Sequence, residues 1–238
     1  VFSDWLEENG ELDRAQFIRM QVERSQLPRW DPKWILLRLC EKKLLQQHED
    51  EWRAELPDIR GVRWGRFRRG FVANASFASF EILAANADRC WAATPIESIS
   101  VNWPRRQNPV NYLAEIPGLR GLSILNRTID SDEVRQLADA RLLRTLHSLN
   151  VGGCGLGFEG FARLIASSHL QNLKVLPAQN NSIGDMGIEA LLMTPALKSL
   201  EELHLTESRE GRYEEDPVIT GQGLERLATW PGLSQIRS

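Results

Sequence analysis

Stacked strand–helix units of the α/β class, reached through a helical N-terminal segment, are what this 238-residue sequence predicts. Three observations carry the prediction. An apolar skeleton returns every 27 residues through the second half of the chain. A glycine-bearing template follows each copy of that skeleton. Composition shifts at the same place: seven of the eight tryptophans precede residue 119, and 22 of the 33 leucines lie from there onward. The two halves are therefore packed by different rules.

Residues 1–57 read as helices. Phe17, Met20, Gln21 and Arg24, with Ile18 and Val22 beside them, make a moderate apolar face over 13–25. A stronger helix is predicted over 32–55, where Asp31 can cap the N-terminus and Pro32 fits the first helical position. Leu37, Cys40, Leu44, Leu45, His48 and Trp52 recur there at helical spacing until Pro57 stops the run. His48 on this face is a packed or half-exposed side chain. Residues 58–118 form a junction of irregular units: a strand over 70–77, then a helix carrying Phe80, Leu83, Ala84, Ala87, Cys90 and Trp91, ended by Pro95, then a strand over 96–101.

From residue 119 to 238 the period is regular. The skeleton is Leu119, Leu122, Ile124; Leu146, Leu149, Val151; Leu173, Leu176, Ala178; and Leu200, Leu203, Leu205. Leu233 and Ile236 read as a partial fifth copy after 33 residues, the excess falling in the charged stretch 207–217, and Ile96, Ile99 and Val101 as an irregular earlier copy. The second template is clearest in Ile183-Gly184-Asp185-Met186-Gly187-Ile188-Glu189-Ala190-Leu191, and recurs at 156–164 and 219–227. At 129–137 its ends are kept, but Glu133 stands where the others have glycine. One unit cannot bury its leucine side alone, so units stack and their leucines form a continuous ladder.

On these residues, 96–238 resemble a leucine-rich-repeat array of the ribonuclease-inhibitor-like type. The resemblance implies an α/β solenoid with parallel strands on the concave face and helices on the convex face. At the ninth position, where that family usually places Asn or Cys against the turn backbone, the chain has Arg127, Cys154, Asn181 and Ser208. Pro177 falls within the third strand, where it deletes a ladder donor and should break pairing locally or slightly open the arc. The N-terminal segments Phe2-Ser3-Asp4-Trp5-Leu6-Glu7-Glu8-Asn9-Gly10 and Arg14-Ala15-Gln16-Phe17-Ile18-Arg19-Met20-Gln21 are similar to the short repeat-companion domain found beside leucine-rich repeats in planctomycete bacteria. Arg68-Arg69-Gly70-Phe71-Val72 looks like the lead-in to the repeats of those proteins. That resemblance implies a bacterial source, a helical cap and a further helix upstream of Val1. It brings no established activity.

The chain is long enough to bury a core without staples. Cys40, Cys90 and Cys154 show no metal or disulfide spacing and read as reduced core residues of a cytoplasmic protein. No apolar run is long enough for a membrane span and no signal peptide is present, although a start without Met leaves room for a lost leader. Catalytic and cofactor motifs are missing: the turn 152–157 lacks the Lys and Ser/Thr of a phosphate loop. His147 and His204, separated by an intervening unit, sit near 10 Å apart at about 4.8 Å per strand, too far for one zinc. Cys154, near His147, could be imagined as a nucleophile, but its repeat position makes it a buried turn residue. No catalytic, cofactor or metal residue is assigned.

Two surfaces remain. Side chains between the ladder positions must point to the open face of each strand: Ser98, Ser100, Asn102; Gly121, Ser123, Leu125; Ser148, Asn150, Gly152; Val175, Pro177, Gln179; and Glu202, His204, Thr206. With Tyr213 of the charged rim loop, this small, nearly neutral face is the candidate contact for a protein or peptide partner, making the chain a non-enzymatic interaction module or scaffold. The alternative is nucleic acid or another phosphate-bearing ligand at Arg60, Arg63, Arg66, Arg68 and Arg69, with Trp64 and Phe67 interleaved. A net charge of −3 opposes it, and pairing with Glu49, Asp50, Glu51 and Glu55 is the simpler account. The chain stops just after 233–236, so an uncovered edge strand there is expected to be truncated or to be covered by a partner or second copy.

Overall fold

A computed structural model describes residues 2–104, 109–125, 128–194, 197–206 and 217–236. The chain divides into two compact units, residues 1–75 with 85–96, and 76–84 with 97–238.

The first unit opens with helices α1 (Phe2–Glu8), α2 (Leu12–Gln26) and α3 (Pro32–Ala54). Asp31 caps α3 as its sequence position predicts, accepting from the Lys33 amide at 2.8 Å with Pro32 at the first helical position. α2 packs against both α1 and α3. Phe17, Trp52, Phe67 and Val72 form the core, with Leu44, Leu45, Leu56 and Trp64 against it. His48 is half-buried and stacks on Trp52 at 5.3 Å. Cys40, read as a core residue, is exposed instead, because the buried side of α3 runs through Glu41 and Trp52.

Short strands follow: β1 (Val62–Trp64), β2 (Phe67–Arg68), β3 (Phe71–Val72) and β4 (Asn74–Phe77). The single strand expected over 70–77 is two. β2 and β3 close an antiparallel hairpin at Arg69 and Gly70, whose φ values of 52° and 83° turn the chain back on itself. Helix α4 (Phe80–Ala93) comes next and ends ahead of Pro95.

The second unit alternates strands and helices: β5 (Ser98–Asn102), α5 (Val110–Ala114), β6 (Gly121–Leu125), α6 (Ser131–Ala138), β7 (Ser148–Asn150), α7 (Gly157–Ile165), β8 (Val175–Pro177), α8 (Gly184–Leu192), β9 (Glu202–His204) and α9 (Gly221–Leu227). The protein is thus α/β with a mostly parallel seven-stranded sheet in the order β1-β4-β5-β6-β7-β8-β9. Every pairing from β5 to β9 is parallel. The register sets Ile99 beside Leu122, Leu122 beside Leu149, and Leu176 beside Leu203. α6, α7, α8 and α9 pack in sequence, each on the next.

Pro177 shortens one ladder, as its missing N–H requires. β7 and β8 keep only the Ser148–Val175 register pair, while the Pro177 carbonyl still accepts from Val151 at 2.9 Å. On its other side Pro177 remains in register with His204.

The segment 233–236 is not a strand. Pro231–Gln235 is a 3₁₀ turn, like Arg141–Arg144 and Leu170–Asn172 before β7 and β8. The bond from Ile236 N–H to the Leu233 carbonyl matches those from Leu173 to Leu170 and from Leu200 to Leu197. Ile236 therefore occupies the first skeleton position, three residues later than the sequence pattern placed it. The last sheet strand among the described residues is β9. Arg127, Ser208, Tyr213 and the charged stretch 207–216 lie outside the described residues.

Candidate functional site

Alternation along β5 to β8 puts the ladder residues inside and the intervening residues on the open face. Ser98, Gly121, Ser148, Val175 and Glu202 align across five strands in one row. Ser100, Ser123 and Asn150 align in a second, Asn102 stands beside Leu125, and Pro177 beside His204. These side chains are half-buried from Ser98 to Gln179, apart from the buried Gly121, and exposed at Glu202, His204 and Thr206. A Cβ at Gly121 would collide with the Ser98 hydroxyl, and one at Gly152 would meet the Gln179 amide at 2.5 Å. Glycine at these two points lets neighbouring side chains lie flat across the sheet.

Some face residues are already engaged. The Asn150 carboxamide accepts from the Gly152 amide at 2.9 Å, and the Asn102 amide donates to the Ala78 carbonyl at 2.8 Å. The Gln179 carboxamide oxygen is shielded from solvent and has no partner among the described residues. The face is neutral from β5 to β8 and gains charge only at Glu202 on β9. Beside it, at the residue preceding each strand row, Arg120 meets His147 at 3.4 Å and Lys174 meets Glu201 at 2.7 Å.

The turns behind the face are held by side chains at Asn181 and Cys154. Asn181, 1% exposed, donates to the Val151 and Ala178 carbonyls, both at 2.9 Å, and accepts from the Leu156 amide at 3.1 Å. Cys154 sits one period earlier, 3.9 Å from the Ile124 and Gly152 carbonyls. Burial pushes its thiol up to about 11, so near neutral pH it is a thiol and not a thiolate. With 1% exposure, it sits in the turn as a buried side chain. Gly153, Gly155 and Gly157 all have positive φ, which makes 152–157 a tight turn leaving β7.

The arginine cluster has a different geometry from the one its sequence suggested. Arg60, Arg63, Arg66, Arg68 and Arg69 are exposed. The interleaved aromatics face inward: Phe67 is 8% exposed within the aromatic core, and Trp64 is half-buried against that core with its indole donating to the Pro57 carbonyl at 3.1 Å. Three of the four carboxylates expected to neutralise these arginines have other partners. Glu49 pairs with Arg53, Glu51 with His48, and Glu55 with Arg14 at 2.7 Å.

Sequence reasoning missed two apolar surfaces. One is a cavity of about 620 Å³ past β9, lined by Leu203, Leu205, Val218, Leu224, Trp230 and Leu233 among others. The other is the outer side of α3, where Ile35, Leu36 and Leu39 are 52%, 61% and 58% exposed. Its signal was the run from Trp34 to Leu37, apolar around the whole helix circumference. No group of three or more His, Cys, Asp or Glu side chains arranged for a metal occurs among the described residues, and none of the helices described is long and apolar enough to cross a membrane.

The class that fold and surface define is an α/β protein presenting a mixed, mostly uncharged strand face. Compared with models of known protein families and with curated proteins, the sequence matches none.

Proposed function

We propose that residues 96–238 form a leucine-rich-repeat arc behind a helical cap, and that the chain is a non-enzymatic module binding a protein or peptide on the strand face. The observation that carries this reading is the five-strand row Ser98, Gly121, Ser148, Val175 and Glu202, in register on the side of the strands away from the ladder, its side chains interrupted only at the buried Gly121. The hydroxyls of Ser98, Ser100, Ser123 and Ser148 carry no hydrogen bond among the described residues, so they are open to a partner backbone. The bound Asn181 and Cys154 side chains support the repeat assignment, since they hold turn backbones as that family's ninth position does.

The test is affinity capture from the source organism's lysate with the intact chain and with a Ser123→Arg plus His204→Arg variant, quantified by mass spectrometry. Asn150 is left alone because its side chain holds the β7 turn. Loss of at least one captured protein by about tenfold, with unchanged melting, is the expected result. Equal recovery of every captured protein by the two chains refutes binding at the strand face.

A further inference from the structure

The first three turns of α3 are apolar on two opposite sides. Trp34 and Leu37 lie on the half-buried side, while Ile35, Leu36 and Leu39 point outward and Trp30, just before the helix, is 79% exposed. A helix that is hydrophobic all round is normally covered all round. The charges bordering this stripe are unbalanced. Arg29, Arg38, Lys42 and Lys43 are exposed and form no ion pair among the described residues. The carboxylates nearby are occupied: Glu23 by Lys33, Glu41 by Arg24 inside the unit, and Asp31 by the N-terminus of α3.

From this we infer that the outer side of α3 over residues 30–43 is a docking stripe for an acidic amphipathic helix of a partner protein. The partner's apolar residues, spaced three and four apart, would cover Leu36 and Leu39, and its flanking carboxylates would meet Arg29, Arg38, Lys42 and Lys43. A flat anionic membrane is the poorer occupant. Asp50, exposed on the same helix about 16 Å beyond Leu39, would be pressed against it, whereas a helix crossing α3 at the stripe avoids that group. This inference stands apart from the strand-face reading, because none of its residues belongs to that face.

The test uses the intact chain and a fluorescent peptide of about 18 residues, five helical turns, with leucines at i, i+3/i+4 spacing and glutamates on both flanks. Its counterpart has lysine for every glutamate. Anisotropy titration is expected to show the acidic peptide binding at least about tenfold tighter than the basic one. Leu36→Ser plus Leu39→Ser should lose about tenfold, and Lys42→Glu plus Lys43→Glu should erase or invert the charge preference. The second pair is exposed and separates docking from folding should the first pair melt early. Equal affinity for the two peptides overturns the inference, as does unchanged binding by the charge-reversed chain. Leu36-dependent sedimentation with phosphatidylserine–phosphatidylcholine vesicles, or a Leu36-dependent dimer in analytical ultracentrifugation, also overturns it by assigning the stripe to another occupant.

Discussion

Asn181 does with one side chain what a turn otherwise needs several residues to do. Its amide donates to two buried carbonyls and its oxygen accepts from one buried amide; the Val151 carbonyl also accepts from the Cys154 amide, so an apolar replacement strands the Leu156 amide and the Ala178 carbonyl. Asn181→Leu should cost about 2 kcal/mol or more in chemical denaturation, since each stranded group costs about 1–3 kcal/mol. Asn181→Cys should cost less, because Cys154 holds the same place one period earlier; equal losses would contradict the assigned role. Cys154 also sets a pH dependence. Its folded-state pKa of about 11 lies above the ordinary thiol value of 9.0, and burial is the cause. The unfolded chain therefore releases this proton first as pH rises. The stability contributed by the neutral thiol is full below pH 9 and is lost progressively toward pH 11, up to about 2–3 kcal/mol. Denaturation midpoints of the native chain should fall across that window more steeply than those of Cys154→Val, and parallel curves would show that the thiol is not the source.

Helices α8 and α9 depend on glycines, Gly187 and Gly223, that their sequences make look like weaknesses. In α8, a Cβ at Gly187 would overlap the Ile183 side chain, which folds over the helix start. Gly187→Ala should therefore destabilise by about 1–3 kcal/mol through overpacking, despite the gain of about 1 kcal/mol that alanine brings to a helix interior; a raised melting temperature would refute the packing account. Of the helices α6 to α9, the one without that glycine, α6, shows the alternative. Glu133 and Asp130 form a reciprocal capping box, which explains why Glu133 stands where the sequence template has glycine elsewhere. At this level the sequence was informative where periodicity and caps decide structure: α2, α3 and α4, the parallel pairs from β5 to β9, and the Asp31 cap. It was silent where tertiary context decides. The strand expected over 70–77 is broken after Val72, because β3 pairs back on β2 through the turn at Arg69 and Gly70 while β4 belongs to the larger sheet, and a short apolar run does not reveal which neighbour each half will pair with. Ile236 was placed one turn out, because Leu233 is as apolar as a ladder residue but faces out of the 3₁₀ turn at 40% exposure. For the candidate site, alternation alone gave the residues of the strand face. Alternation could not show that Asn150 and Asn102 are engaged with backbone, or that Phe67 turns into the core.

The ladder that joins these elements is unevenly buried. Ile99 and Leu122 are 2% exposed and Leu149 and Leu176 fully buried, whereas Leu203 on β9 is only half-buried, beside the apolar cavity that Leu224 and Leu233 also line. Among the described residues β9 pairs on one side only, and a strand held by one ladder is held less firmly than one held by two. Leu149→Ala and Leu176→Ala remove side chains enclosed on both sides, and each should cost about 2–5 kcal/mol. Leu203→Ala deletes a side chain that is already partly in water and should cost less than half as much. Amide hydrogen exchange reads the same gradient without mutation: the amides of β6 and β7 should be the slowest in the second unit, and those of β9 should exchange by local opening well before global unfolding. Binding at the strand face adds a sharper expectation. A partner spanning the five-strand row contacts Glu202 and His204 on the most exposed strand of the row, so its addition should slow exchange at β9 more than at β7. A uniform slowing across all five strands, or none at β9, would mean that the row is not engaged along its whole length.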